Sequence, residues 1–332
     1  KSSAFSSNIY VLGHNIISSD LSVGINSTIQ GTISVGEEVW MSSNLSVTGK
    51  VTLENTLSVK DDVVLSSNLS VAENAIVRGT VSVAKNIIMS SNLSVAENTT
   101  LAGTLSIGEN VWISSDVSVT GKTTLASTLS VKNNVVLSSN LSVAKNTTSA
   151  GTLSVGENVW MSSDLSVTGK VTLAYTLSVK DDTVLSSNLS IAENTTLAGT
   201  LSVGKNVWMS SNLSVTGKVT LADTLSVKDT AIFSSNLSVA ENAIVRGSVS
   251  VAKNVIMSSN LSVAENTILA GTLSVSENVW ISSDMSVAGN TTLVGTLSVK
   301  DNVILSSNLS VAENVVVRGT VSVAKNVSMS SN

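Results

Sequence analysis

The chain has 332 residues with no proline, no cysteine, one histidine and nine aromatic residues, and its formal net charge at pH 7 is −5. The lack of cysteine excludes disulfides, thiol nucleophiles and sulfur-ligated metals, and the single His14 argues against a histidine-based metal or acid–base site. A negative net charge does not indicate the basic surface that binds nucleic acid. No apolar run reaches the length of a membrane-spanning helix.

Hydrophobic residues make up 42% of the chain and charged residues only 12%. The first value is ample for a folded core, whereas the second is about half the usual share in globular proteins. This composition is typical of a structural material. We therefore predict that the chain is not an enzyme and has no catalytic residues, cofactor or metal.

A twelve-residue repeat runs from Asn8 without slippage, and residues 1–7 fit the end of a preceding repeat. Examples are NLSVTGKVTLEN from Asn44, TLSVKDDVVLSS from Thr56 and NLSVAENAIVRG from Asn68. Twenty-seven full repeats cover residues 8–331. We expect one continuous repeat array over residues 1–332 that is a piece of a longer array.

Apolar residues occupy positions 2, 4, 8 and 10 of each repeat, as Leu45, Val47, Val51 and Leu53 do. A spacing of two within short segments is the period of a β-strand. Positions 5–7 and 11, 12 and 1 hold Gly, Asn, Asp, Ser and Thr, which are turn residues. Each repeat therefore predicts two short strands, and because one repeat cannot bury its own apolar face, the fold class is an all-β, parallel β-solenoid.

The absence of proline agrees with this prediction, because every strand N–H is needed for a bond to the next turn. Stacking in register places Asn on Asn at position 7 and Ser on Ser at position 3. Ladders of identical polar side chains stabilise such arrays.

The length of one turn is tested by the tryptophans, whose successive separations are six, four, four and six repeats. Four repeats are not a whole number of triangular, eighteen-residue turns, so such a turn would move the tryptophans from face to face. A turn of one or two repeats keeps them in one column on one face. We predict a flattened, two-sided turn of twelve residues, with a four-strand turn of two repeats or an intertwined trimeric β-helix shaft as alternatives.

The outward positions are 3, which is almost always serine, and 9, which holds Trp, Ile, Val or Thr. In a twelve-residue turn, position 3 forms a flat serine face and position 9 an apolar strip larger than monomers expose. The strip predicts a lateral contact between copies of the chain, as a homotrimer or a laterally bundled filament. The alternative is that a two-repeat turn points position 9 inward. The candidate contact residues are Trp40, Trp112, Trp160, Trp208, Trp280, Ile88 and Ile256.

Two other groups of polar residues are candidates for sites. The pairs Asp61/Asp62 and Asp181/Asp182 have no convergent partner, and we interpret them, like His14, as turn residues. Asn-x-Ser/Thr sequons occur at Asn44, Asn68, Asn98 and Asn194. These asparagines would bear glycans only in a chain secreted by a eukaryote.

The repeats TLSVGENVWMSS and NLSVTGKVTLAD resemble those in the shafts of phage tail-fibre-like proteins and in repetitive fibre proteins of algal viruses and marine microbes. The resemblance implies a long spacer at a cell or virion surface, often trimeric. We therefore expect an extracellular structural fibre. The alternative function is a surface-binding solenoid that recognises ice or glycans through columns of Ser and Thr.

Overall fold

The computed structural model describes residues 3–330, which form short β-strands and no helix. Each strand has three residues and begins six residues after the previous one, so strand βn begins at residue 6n − 3. The first strands are β1 (Ser3–Phe5), β2 (Ile9–Val11) and β3 (Asn15–Ile17), and the last is β55 (Val327–Met329). We call the three residues between strands the first, second and third corner positions.

The chain forms two compact units, Lys1–Gly169 and Lys170–Asn332. Within each unit, every interior strand pairs in parallel with the strands three before and three after it, at a register of eighteen residues. In unit 1, Leu57 of β10 pairs with Val39 of β7 and Ala75 of β13. We label the sheets A, B and C after the strands β1, β2 and β3 and every third strand that follows.

Unit 2 repeats this arrangement. Ser226 of β38 (Leu225–Val227) pairs with Trp208 of β35 (Val207–Met209) on one side and with Ile244 of β41 (Ala243–Val245) on the other. Each unit is therefore a three-sided solenoid whose turn contains three strands and eighteen residues.

The predicted all-β, parallel β-solenoid with two strands per repeat is confirmed, but the twelve-residue turn and its two-repeat alternative are both wrong. A two-sided turn must reverse the chain direction at each corner, and several of the tight reversals open to it, the type II, I′ and II′ turns, need a residue with positive φ. Among residues 3–330 no residue has positive φ, glycine included. Three corners of three residues each need only a gentler bend, so one strand and one corner make one side of a triangle.

The core lies along the axis of each unit and is formed by the first and third residues of each strand from β4 (Leu21–Val23) to β52 (Leu309–Val311). In β10, Leu57 and Val59 are 0% and 1% exposed, while Ser58 between them faces outward. This pattern confirms that repeat positions 2, 4, 8 and 10 point inward. One aromatic side chain, Phe233, joins the aliphatic core.

Backbone hydrogen bonds continue from the strands through the corners. The N–H that opens a strand donates to the third corner carbonyl of the next turn, as Leu45 donates to Asp62 at 2.9 Å. The N–H that follows a strand donates to the previous turn, as Thr48 donates to Ile29 at 2.9 Å. Proline has no N–H and would leave a carbonyl of the adjacent turn unpaired, which explains its absence.

Glycine at the second corner position allows adjacent turns to approach closely. Gly121 donates its N–H to the carbonyl of Gly103 at 3.1 Å, and a Cβ on Gly121 would lie 2.5 Å from that oxygen. Glycine is therefore required here because any side chain would collide with the backbone of the adjacent turn, and not because the position has an unusual φ.

The core contains buried hydroxyl groups that have no hydrogen-bond partner among the described residues. Thr195 is different, because its hydroxyl donates to the Met209 sulfur at 3.3 Å. The hydroxyls without partners belong to Ser27, Thr99, Thr123, Thr147, Thr183, Thr267 and Thr291. Each costs desolvation free energy with no compensating bond.

Replacing these threonines with valine should stabilise the protein. We expect Thr99→Val and Thr123→Val each to raise the free energy of unfolding by about 1 kcal/mol, because valine has the same shape without the buried hydroxyl. The measurement is the midpoint of denaturant unfolding. Thr100→Val and Thr124→Val, on the exposed side of the same strands, are the matched controls and should shift it little. Equal shifts in both pairs would contradict the assignment.

Candidate interaction surface

From β4 (Leu21–Val23) to β54 (Val321–Val323), the outward side chains of every face alternate between serine and a larger residue. On face A of unit 1, Ser58 pairs with Trp40 on one side and Ile76 on the other. The expected stacking of Ser on Ser is therefore wrong. One turn is one and a half repeats, so position 3 stacks on position 9, and position 7 stacks on position 1.

The tryptophans do not share one face, which corrects the single column expected from the twelve-residue turn. In unit 1, Trp40 and Trp112 lie on sheet A and Trp160 on sheet C. In unit 2, Trp208 and Trp280 lie on sheet B. Tryptophans six repeats apart share a face because six repeats make four whole turns, whereas a separation of four repeats is not a whole number of turns and changes the face.

The other two candidate contact residues follow the same rule. Ile88 lies in β15 (Ile87–Met89) on sheet C, and Ile256 lies in β43 (Val255–Met257) on sheet A. The seven candidates are all exposed, but they lie on different faces. Whether they contact a second chain stays a prediction.

Each face is a series of ridges and notches. On face B of unit 2, Trp208, Ile244 and Trp280 are 42–45% exposed. The serines between them, Ser226 and Ser262, are half-buried. With adjacent strands about 4.8 Å apart, the ridges recur about every 9.6 Å. The continuous apolar strip and the flat serine face are thus replaced by one mixed surface on three sides.

The third corner position contains a ladder of Asn and Asp side chains. The side-chain carbonyl of Asn74 accepts the backbone N–H of Asn92 at 3.3 Å, and that of Asn92 accepts the N–H of Asn110 at 3.0 Å. Asn110 in turn accepts the N–H of Thr128 at 3.2 Å. The ladder gives an acceptor to a backbone N–H that the strands leave unpaired.

The acidic pairs take part in the same corner network. Asp62 accepts the N–H of Thr80 at 2.8 Å and its hydroxyl at 2.9 Å, and Asp61 accepts the Ser43 hydroxyl at 3.0 Å. The pKa of the Asp182 carboxyl is lowered, most by the hydrogen bond from the backbone N–H of Thr200 and next by the one from the Thr200 hydroxyl. Burial acts in the opposite direction and raises the pKa, but less. Hydrogen bonds of this kind stabilise the ionised form.

His14 also lies at a third corner position, where its Nδ1 is 2.6 Å from the Thr32 hydroxyl. Among residues 3–330 no group of three or more His, Cys, Asp or Glu side chains could hold a metal ion. In the same range no helix could cross a membrane.

The sequon asparagines belong to the corner ladder. In Asn44, Asn68, Asn98 and Asn194, the side-chain carbonyl accepts the backbone N–H of the residue eighteen positions later, at 2.9–3.2 Å. Their glycosylation stays a prediction, and a glycan on such an amide would have to leave this carbonyl in place.

The eighteen-residue turn also brings together residues that the sequence analysis did not connect. Trp40, Ser58 and Ile76 line a shallow depression on face A of unit 1. Lys60 and Arg78, at the first corner position of two successive turns, line its edge. The signal available in the sequence is a lysine twenty residues after each tryptophan, which has a meaning only once the turn length is known.

Comparison with known proteins gives no relative. No protein-family model, no curated protein and no solved structure matches the chain.

Loss of one ladder side chain should destabilise its corner. We expect Asn86→Ala to lower the free energy of unfolding by about 1 kcal/mol, because Asn86 accepts both the N–H and the hydroxyl of Thr104, at 2.8 and 2.9 Å. The control is Asn133→Ala, which removes only one long contact of 3.4 Å to the Ser115 hydroxyl. Urea unfolding of both variants is the measurement. An equal decrease in the free energy of unfolding in both variants would contradict a stabilising role of the ladder hydrogen bonds.

Proposed function

We propose that the chain is a structural shaft: a stiff spacer in an extracellular fibre or appendage, at a cell or virion surface. The observation that supports this function best is the strict six-residue spacing of all 55 strands. Catalytic clefts and ligand pockets are usually built by loops of unequal length, and here no turn between β1 and β55 contains an insertion. A repeat that contacts only its neighbours can extend without changing its cross-section.

Stiffness follows from the way in which turns are joined. Every strand of a unit interior is hydrogen-bonded to a strand on each side, and the corner ladder adds side-chain bonds at the edges. Bending a unit would stretch bonds on one face and compress side chains on the opposite face. The interior packs aliphatic side chains at less than 5% exposure, and close-packed interiors resist compression.

Lateral assembly is the second part of the proposed function. The ridges of one face match the notches of the same face on a second copy, if the two copies are displaced by one turn along the axis. Each unit has about nine turns, so its face is roughly 43 Å long at about 4.8 Å per turn and roughly 20 Å wide at six residues of about 3.3 Å. An area of about 850 Å² is close to the roughly 800 Å² per partner of a stable interface.

Ice binding has less support from this surface. Recognition of a lattice needs a flat, regular array of similar groups, whereas serine alternates here with Trp, Ile, Val and Thr on every face. Thermal hysteresis of the purified protein would support ice binding, and its absence would favour the structural shaft.

Removal of the ridges from one face should weaken lateral assembly. We expect the chain to sediment as an oligomer that the triple variant Trp208→Ser, Ile244→Ser, Trp280→Ser converts towards monomer, because the buried apolar area is lost. The control is the triple variant Val184→Ser, Thr220→Ser, Thr292→Ser on sheet A of the same unit. A wild-type monomer at high concentration, with tryptophans fully quenched by iodide, would exclude the lateral contact.

A further inference from the structure

Three tryptophans have the same two cations beside them. Each is followed by a lysine twenty residues later and an arginine thirty-eight residues later. Because a turn has eighteen residues, the lysine lies in the next turn and the arginine in the turn after it, both at the first corner position. The three Trp–Lys–Arg sites are Trp40–Lys60–Arg78, Trp208–Lys228–Arg246 and Trp280–Lys300–Arg318.

The three sites have equivalent backbones. In each, the lysine N–H donates to the carbonyl of the residue after the tryptophan at 2.9 Å. The arginine N–H donates to the carbonyl of the residue before the lysine at 3.0–3.2 Å. The indole, the ammonium and the guanidinium therefore start from the same relative positions on sheet A of unit 1 and, twice, on sheet B of unit 2.

The Trp40–Lys60–Arg78 site is concave. Ser58 forms the low point between the ridges of Trp40 and Ile76, and Lys60 and Arg78 stand on one edge. The indole of Trp40 is 58% exposed. Among the described residues, no side-chain hydrogen bond or ion pair engages Lys60 or Arg78, so both cations are free for a ligand.

We propose that the Trp–Lys–Arg sites bind an acidic polysaccharide, through sugar residues that bear a carboxylate or a sulfate. The exposed indole offers a flat apolar surface to the C–H face of a sugar ring. The guanidinium pairs with the acid group through two hydrogen bonds, and the lysine adds a second positive charge. The serine hydroxyl in the notch can donate to or accept from a sugar hydroxyl.

A polymer suits the spacing of the sites on sheet B of unit 2. Trp208 and Trp280 are four turns apart, which is about 19 Å at about 4.8 Å per turn. One chain of several sugars can occupy both sites, and the second contact is then intramolecular and gains affinity from proximity.

Nucleic acid fits less well. Each sheet B site has only two cations. Duplex DNA has a charge about every 1.7 Å and needs a continuous basic surface. Single strands are bound by several aromatic side chains in series, whereas each site here has one tryptophan.

The test is affinity electrophoresis of the full chain in gels that contain polygalacturonate, dextran sulfate, neutral dextran or single-stranded DNA, with tryptophan fluorescence as a second readout. We expect retardation by polygalacturonate, by dextran sulfate or by both, which identifies the acid group, and none by neutral dextran. Replacing the arginines, in Arg78→Gln, Arg246→Gln, Arg318→Gln, should weaken binding about tenfold, as loss of charge-assisted hydrogen bonds does.

The matched control is Lys85→Gln, Lys253→Gln, Lys325→Gln, which removes the same charge at second corner positions away from tryptophan and should keep wild-type affinity. A gain of binding should follow from Ala150→Arg, because Ala150 stands near Trp112 and Lys132 where the three sites have arginine, with its N–H bonded to Val131 at 3.1 Å.

The proposal is overturned if neither acidic polymer retards the chain, if both triple variants lose the same affinity, or if DNA binds more tightly than both polymers. The inference does not depend on the shaft function. The arginine variant leaves the ridges intact, so its sedimentation should equal that of the wild type whether or not it binds polysaccharide.

Discussion

The structure depends on the hydrogen bonds between backbone groups that lie eighteen residues apart. They join every strand of a unit interior to two neighbours and continue through the corners, where Asn and Asp side chains accept the N–H groups that remain. No turn is stable without its neighbours, because its inward Leu and Val side chains are covered only by the turns above and below. The composition follows from this constraint: proline would remove a donor, and charged residues have no place except at the corners.

The same register decides what the surface presents. The sequence repeats every twelve residues and the backbone every eighteen, so the two periods coincide only once in three repeats, or two turns. Each face therefore alternates a notch of serine with a ridge of Trp, Ile, Val or Thr. A twelve-residue turn would instead have separated serines and apolar residues onto different faces. The alternation is also what places Lys60 and Arg78 beside Trp40.

Much of the fold could be predicted from residues alone. The pairs Leu45/Val47 and Val51/Leu53, two apart and bounded by Gly, Asn and Ser, identify short strands, inward positions and corners. The turn length could not be predicted, because a hexad fits a side of two-, three- and four-sided turns equally well, and the strand pattern is identical in all of them. The tryptophan spacing does not indicate one column, because nothing in the chemistry of an exposed indole requires its neighbours to share a face. The Trp–Lys–Arg sites depend on the turn length and were missed for that reason.

The turn length is the central claim, and the absence of cysteine allows a direct measurement of it. Pyrene attached to the double variant Ser58→Cys, Ile76→Cys should give strong excimer fluorescence, because these outward residues are direct partners on adjacent strands of sheet A. Pyrene on Ser58→Cys, Ser70→Cys should give none, because Ser70 lies on sheet C, although it is only one repeat away. Excimer emission from the 58/70 pair and not from the 58/76 pair would contradict the eighteen-residue turn.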